Sequence, residues 1–106
     1  MGKYSRDKGK RGELDIKNRL GGSARRTGHS YIATPVDVET KNSVIQVRNK
    51  TIGGSEISLE LGRLEVAAPS KNAYVAFKVK GKWYLAETLE QHKGNHGDEP
   101  DRGVSP

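Results

Sequence analysis

Two stretches of the chain have apolar side chains at spacings compatible with a helix, and in the second they recur at the three- and four-residue intervals of one helix face. The first covers residues 8–20 and ends at the glycine pair 21–22, because glycine is a poor helix former and a good C-terminal cap. The second has Ser58 as its predicted N-cap and Glu60 as a favourable acidic residue of its first turn, and it ends near Pro69. The apolar positions that define it are Ile57, Leu61, Leu64 and Ala68.

Other stretches alternate apolar and polar residues with the two-residue period of a half-buried strand. The clearest cover residues 36–40, 43–51, 73–79 and 82–87, and a weaker strand is predicted over 23–27. Lys41-Asn42 and Gly81 supply hairpin turns. The predicted order is helix, three strands, helix, two strands. This order indicates an α/β domain with a small mixed sheet flanked by helices.

The chain of 106 residues is long enough for one small domain. We expect a flexible basic arm over 1–7, the folded domain over 8–91 and a disordered tail over 92–106. Only 32% of the residues are apolar and 30% are charged, which predicts a thin core. A thin core favours a homodimer, and the apolar face of the second helix is a candidate contact surface.

Several classes of protein are excluded by composition. The chain has no cysteine, so disulfide scaffolds and cysteine-based zinc sites are ruled out. It has no apolar run of the roughly 18 residues that a membrane span needs, and no apolar stretch follows its basic start as in a secretory signal. We therefore expect a cytoplasmic protein, in the host cytoplasm if it is viral, with no membrane partner.

Basic residues are concentrated in the first half of the chain. Lys and Arg number 19 against 13 Asp and Glu, and residues 1–50 hold 12 of the former and five of the latter. A dense basic segment with few aromatic residues favours contact with the phosphates of duplex DNA, although a charged helix face is often only solvated. The candidate phosphate contacts are Lys8, Lys10, Arg11, Lys17, Arg25 and Arg26.

Two predicted strands carry charged groups that suit phosphodiester hydrolysis. Residues two apart on a strand share a face, so Asp37 and Glu39 are expected on one face while the valines beside them are buried on the other. On the next strand, the same rule places Gln46, Arg48 and Lys50 together. Carboxylates can bind Mg²⁺ and a cation can stabilise phosphate charge. The alternative is a solvated sheet face with cross-strand ion pairs.

The motifs occur in an order that resembles a known nuclease family. They are Lys8-Gly9, Glu13, Pro35-x-Asp37, Gln46-x-Arg48 and Leu61-Gly62-Arg63-Leu64. From about Lys8 to Glu90 the chain is similar to the archaeal-type Holliday-junction resolvases of the PD-(D/E)XK nuclease superfamily. The resemblance implies a restriction-endonuclease-like fold and a homodimeric endonuclease that needs Mg²⁺, for which Mn²⁺ substitutes. It also implies paired symmetric nicks in four-way junction DNA and weaker binding of duplex DNA.

The same resemblance assigns roles to individual residues. Glu13 matches the family's helix glutamate and Asp37 its strand aspartate, both of which imply metal ligands. Ser30 or Thr27 matches the loop hydroxyl near the scissile phosphate.

The chain departs from the family pattern at one motif. Gln46 and Arg48 stand where the family has Glu-x-Lys. Gln46 keeps an oxygen ligand without its charge. Arg48 keeps the positive charge but cannot act as a proton shuttle, because an arginine is effectively always protonated. Glu39 and Lys50 are the expected replacements, which makes Glu13, Asp37, Gln46 and Glu39 the expected metal ligands.

Two alternatives to a resolvase remain open at this stage. A protein with the nuclease fold that has lost catalysis would still bind branched or duplex DNA. A nuclease of the same fold would act on another DNA substrate.

Overall fold

The computed structural model describes residues 2–27 and 36–96 of the chain. This part is a mixed α/β structure with three helices and one five-stranded mixed sheet, which confirms the predicted class. In chain order the elements are α1 (Gly2–Leu20), β1 (Arg25–Arg26), β2 (Val38–Glu39), β3 (Ser43–Arg48), α2 (Gly54–Ala67), β4 (Asn72–Val79), β5 (Lys82–Ala86) and α3 (Leu89–His96).

The strands lie side by side in chain order, from β1 to β5. Every neighbouring pair is antiparallel except β3 and β4, which run parallel. A parallel pair needs a crossover connection, and α2 provides it. The β4–β5 hairpin turns through Lys80 and Gly81, whose φ angles of 51° and 80° suit a tight two-residue turn.

The central strand β3 is buried on both faces. Val44 packs with Leu61 and Leu64 of α2, whereas Ile45 packs with Ile16 of α1. The apolar face of α2 therefore belongs to the core. The expectation that this face forms a dimer contact is wrong, because Leu64 is fully buried within the chain.

Helix α1 is longer than predicted and includes most of the segment assigned to a flexible arm. It begins at Gly2 rather than at residue 8. The apolar pattern did not reveal this extension of the helix, because residues 2–7 have no apolar side chains at helical spacing. Most of these residues are nevertheless acceptable helix formers. Despite 19 residues in α1, none of the helices in the described ranges is both long and apolar enough to cross a lipid bilayer.

Helix α2 also begins earlier than predicted. Gly53 is its N-cap and has no side chain to accept a capping hydrogen bond, and Ser58 lies inside the helix and is not the cap. Glycine is an acceptable N-cap. The shift moves Glu60 from the first turn of the helix to the second, where it is buried.

A third helix covers part of the segment predicted as a disordered tail. The Thr88 hydroxyl caps α3 by accepting a hydrogen bond from the Gln91 backbone N–H at 3.1 Å. The Gln91 side chain in turn pairs with both backbone groups of Ala73 on β4, at 2.7 and 2.9 Å. Thr-x-x-Gln is a capping-box pattern that the sequence already contained. Residues 97–106 of the predicted tail lie outside the described residues.

Candidate active site

Asp37 lies at the entrance to β2 and is fixed to β3 by its backbone and its side chain. Its N–H donates to the Ile45 carbonyl at 2.9 Å, and its Oδ2 accepts a hydrogen bond from the Val47 N–H at 2.9 Å. Val38 is also the register partner of Ile45, so two successive residues face one, as in a β-bulge.

This bulge changes which residues share a face of the sheet. Val36 packs on the α2 side with Val44, whereas Val38 packs on the α1 side with Ile45. The prediction that both valines are buried on one face is therefore wrong. Strand alternation does not hold across Asp37, and it no longer places Asp37 beside Glu39.

The surroundings of Asp37 disfavour its negative charge. Its pKa is raised from 3.8 to about 6, chiefly because burial penalises the charged carboxylate. The Val47 N–H opposes this shift, the charges of Glu13 and Glu60 add to it, and the Arg48 guanidinium lowers it. The charge of Asp37 is thus opposed by Glu13 of α1 and Glu60 of α2 and is favoured by Arg48.

Glu13 reaches this region from α1. Its Oε1 accepts hydrogen bonds from Nε and Nη2 of Arg26 at 3.1 and 3.0 Å. Gly12 allows the helix to come close to the end of β3, because a Cβ at this position would lie 3.1 Å from the Cβ of Asn49. Asn49 also donates through Nδ2 to the Lys8 carbonyl at 3.0 Å. These contacts hold Glu13 near Asp37.

Gln46 and Arg48 lie on β3, where the sequence predicted them. Gln46 is buried and Arg48 is half-buried at the end of the strand. The Arg48 guanidinium donates to Oε2 of Glu60, and its Nε lies 3.6 Å from Oε2 of Glu56. Arg48 is thus oriented by two carboxylates of α2. Its positive charge lies close enough to Asp37 to lower the pKa of that carboxyl.

Glu60 is the functional candidate that the sequence analysis missed. Only 2% of it is exposed, and its Oε1 is buried without a hydrogen-bond partner in the described structure. That oxygen forms a long ion pair with Nη1 of Arg63, at 3.9 Å. The available signal was its position, three residues after Ile57 and four before Leu64, which puts a carboxylate on the apolar face of the helix.

Glu39 is buried, but other groups hold it. It forms ion pairs with Arg25 through Oε1 and with Lys71 through Oε2, the latter at 3.2 Å. Its register partner is Val44, two residues before Gln46 on β3. These contacts place Glu39 towards the opposite end of β3 from Arg48.

The other predicted catalytic groups differ in how they relate to Asp37. Thr27 contacts the backbone of Asp37, because its N–H donates to the Asp37 carbonyl at 3.2 Å. β3 ends at Arg48, so strand alternation does not reach Lys50, which is exposed beyond the strand. The Thr27 hydroxyl is buried and donates to the Val36 carbonyl at 2.7 Å, which gives it a structural role. Ser30 lies outside the described residues.

The six predicted phosphate contacts separate into two groups. Arg25 and Arg26 pair with Glu39 and Glu13, respectively. The remaining four residues, all on α1, form no ion pair with a described residue, and they are Lys8, Lys10, Arg11 and Lys17. The basic surface therefore consists mainly of α1 side chains.

The donor set suits Mg²⁺ better than a cation that needs a complete protein cage. Within residues 2–27 and 36–96, no three His, Asp or Glu side chains come together closely enough to hold a metal ion. Mg²⁺ commonly takes one or two carboxylates and completes its shell with water. Asp37 with one neighbouring carboxylate meets this need, and the unpartnered Oε1 of Glu60 is an oxygen donor with spare capacity.

Comparison with protein-family models, with curated proteins and with solved structures finds no significant match to this chain. The functional conclusion therefore rests on the chemistry of the Asp37 region and of the basic surface of α1.

Proposed function

We propose that this protein is a Mg²⁺-dependent endonuclease with a restriction-endonuclease-like fold that resolves four-way DNA junctions by paired symmetric nicks. The observation that supports the proposal is Asp37 at the end of β3, next to a basic helix, with a pKa that responds to carboxylates on α1 and α2 and to Arg48. The order of elements from α1 to β5 supports the fold, since it agrees with the order implied by the resemblance.

The position of Glu13 on α1 connects the two parts of this surface. Lys10 lies three residues before Glu13 and Lys17 four residues after it, so the three share one face of the helix. A phosphate brought close to the Asp37 region would therefore meet lysines on the same helix. Such contacts bind DNA through its backbone and are insensitive to sequence, as expected for recognition of junction arms by shape and charge.

The residues at the end of β3 divide the work of hydrolysis. Asp37 and Glu13 would hold Mg²⁺, which supplies a Lewis acid and an activated water when bound. Asp37 is mainly ionised above pH 6, so it can bind a cation at neutral pH. Arg48 stays protonated and stabilises negative charge on the phosphate. Gln46 orients ligands through its amide and adds no charge.

Paired nicks require two active sites, so we propose a homodimer with two-fold symmetry. Sedimentation or light scattering should then give about twice the chain mass of 11.6 kDa. A monomer at micromolar concentration would contradict symmetric resolution by this protein.

The deciding experiment is cleavage of a labelled four-way junction and a matched linear duplex with Mg²⁺, analysed on a denaturing gel. Asp37→Asn should reduce cleavage by at least 100-fold and leave junction binding within a few-fold, because it removes a ligand and not the basic surface. The matched control is Glu65→Gln, an exposed carboxylate of α2 that should cleave as the wild type does.

Other outcomes of this experiment identify the two alternatives. Junction binding without nicks would show a non-catalytic binding protein. Gln46 and the lack of a three-carboxylate cluster among the described residues favour this outcome. Equal cutting of duplex and junction would show a nuclease for another substrate. Unchanged cleavage by Asp37→Asn would remove Asp37 from the site.

A further inference from the structure

Glu60 has an arrangement that its structural contacts do not explain. Its side chain is almost completely buried, yet only Oε2 has a hydrogen-bond donor, from Arg48. Oε1 is buried without any such partner in the described structure. Leaving a buried charged oxygen unsatisfied is unfavourable, and such atoms are rare in native proteins. Arg48 accounts for Oε2 of Glu60, whereas Oε1 has only a long ion pair with Arg63, at 3.9 Å, and no hydrogen bond among the described residues.

The position of Glu60 relates it to Asp37 through two adjacent residues of β3. Asp37 accepts a hydrogen bond from the Val47 N–H, and Glu60 accepts one from the side chain of Arg48. The two carboxylates therefore approach the same end of β3, one from β2 and the other from α2. The charge of Glu60 also acts on Asp37 directly.

We propose that Glu60 is a ligand of the divalent cation together with Asp37, and that it supplies the negative charge that Gln46 lacks. This inference rests on the proposed function for the presence of a divalent cation. It replaces the sequence-based expectation that Glu39 supplies this charge. The register partner of Glu39 is four residues from Arg48 on β3, which is about 13 Å along the strand at the usual rise per residue.

The ion pairs of the two glutamates also favour Glu60 over Glu39 as the metal ligand. Both oxygens of Glu39 already face a cation, Arg25 or Lys71, so a metal would have to displace one of them. Oε1 of Glu60 accepts no hydrogen bond, and its ion pair with the exposed Arg63 is longer, at 3.9 Å. Carboxylate oxygen is the ligand that Mg²⁺ and Mn²⁺ prefer.

The test measures Mn²⁺ binding to the full chain in the absence of DNA, by calorimetry or by the electron paramagnetic resonance signal of free Mn²⁺. Glu60→Gln should weaken Mn²⁺ binding by at least tenfold, and Glu65→Gln should bind as the wild type does. Circular dichroism checks that each variant is folded. If Glu60→Gln does not fold, Glu60→Asp keeps the charge on a shorter side chain and should weaken binding by a smaller factor.

A second variant separates charge from position. Adding Gln46→Glu to Glu60→Gln returns a carboxylate to the end of β3 and should restore Mn²⁺ binding to within a few-fold of wild type. Restoration supports a ligand role, because a purely structural role of Glu60 would not be repaired from β3. Wild-type affinity in folded Glu60→Gln, or no Mn²⁺ binding by the wild type, would overturn the inference.

The same samples distinguish failure of this inference from failure of the proposed function. Mn²⁺ binding that depends on Glu60 and Asp37, without any DNA cleavage, keeps the site and rejects the nuclease. Junction cleavage that is unchanged in Glu60→Gln keeps the nuclease and rejects Glu60 as a ligand.

Discussion

Glu39 and Glu60 are buried to nearly the same extent, with 5% and 2% exposure, but they have different surroundings. Glu39 lies between Arg25 and Lys71, so each of its oxygens has a cation. Glu60 has a donor on one oxygen and none on the other. The first arrangement is complete without a ligand and holds β1, β2 and the β4 entrance together. The second is incomplete, which is the arrangement expected of a binding group.

The difference shows that burial of a carboxylate does not by itself indicate function. A buried charge is tolerated when its partners satisfy it, and removing one partner is then costly. A buried charge whose hydrogen-bonding capacity is only partly used is a better candidate for a site. Four predictions test whether the two ends of β3 differ in this way.

The largest expected effect is on the free energy of unfolding and comes from Asp37, which lies at the same end of β3 as Glu60. Its pKa is higher in the folded protein than its ordinary value of 3.8, so the folded state holds a proton that the unfolded state has lost between about pH 4 and pH 6. The contribution of Asp37 to stability is thus fully present below pH 4 and is lost as the pH rises through 6. Asp37→Asn should be more stable than wild type at pH 8, by on the order of 3 kcal/mol.

Urea denaturation of both proteins at pH 4 and pH 8 measures this effect, and the difference between them isolates Asp37 from the other carboxylates. Near pH 4 the two should be almost equally stable. A difference that does not grow between pH 4 and pH 8 would contradict the raised pKa.

The next effect concerns Glu39, whose two oxygens are both paired with cations. Glu39→Gln removes a charge that pairs with two cations and should lower the free energy of unfolding by about 2 kcal/mol. Glu60→Gln should lower it by less than half as much, because the amide can still accept from Arg48 and the unsatisfied charged oxygen is gone. Urea denaturation at pH 7.5 compares the two. A larger loss for Glu60→Gln would make Glu60 the structural residue of the pair.

A smaller effect on stability is expected at Gly12, where α1 comes close to the end of β3. Gly12→Ala puts a Cβ 3.1 Å from the Cβ of Asn49 and should lower stability by about 1 kcal/mol, although alanine favours the helix. Gly9→Ala is the matched control, since a Cβ there meets nothing within 4 Å. It should raise the melting temperature, whereas Gly12→Ala should lower it. Equal increases would show that α1 does not depend on this close approach.

The smallest effect concerns two basic residues, Lys10, which has no ion pair with a described residue, and Arg25, which has one. Lys10→Gln should reduce the slope of log binding constant against log salt by about 0.9, the value for one phosphate contact. Arg25→Gln should change the slope much less, because Arg25 is paired with Glu39. Binding of duplex DNA over a salt series measures both slopes. An equal change in the two variants would mean that the ion pair opens on DNA.

Much of the fold follows from local patterns in the sequence. The alternation around Lys80-Gly81 correctly predicted the last hairpin, and the Gly-Gly pair correctly predicted the end of α1, where Gly21 and Gly22 have φ of 63° and 56°. These features depend on neighbouring residues only. The capping pattern at Thr88 was equally local, and α3 was missed because the polar segment that follows it was given more weight.

The arrangement of the site was harder to predict because it depends on departures from local rules. Strand alternation fails at Asp37, where the bulge puts Val36 and Val38 on opposite faces. It also stops at Arg48, so it does not place Lys50 on the same face as Gln46 and Arg48. A two-residue period assumes a regular strand, and both errors come from extending it where the strand is irregular or has ended.

The sequence by itself determined the α/β class, the positions of the main helices and strands, and the concentration of positive charge on α1, because periodicity, turn residues and net charge are local properties. The tertiary structure decided which carboxylates meet. Glu13, Asp37 and Glu60 are far apart in the chain, and the packing of α1 and α2 on opposite faces of β3 is what puts the charges of Glu13 and Glu60 within range of Asp37. It also decided that Glu39 is satisfied by Arg25 and Lys71, because charge compensation depends on distances between side chains that the order of residues does not specify.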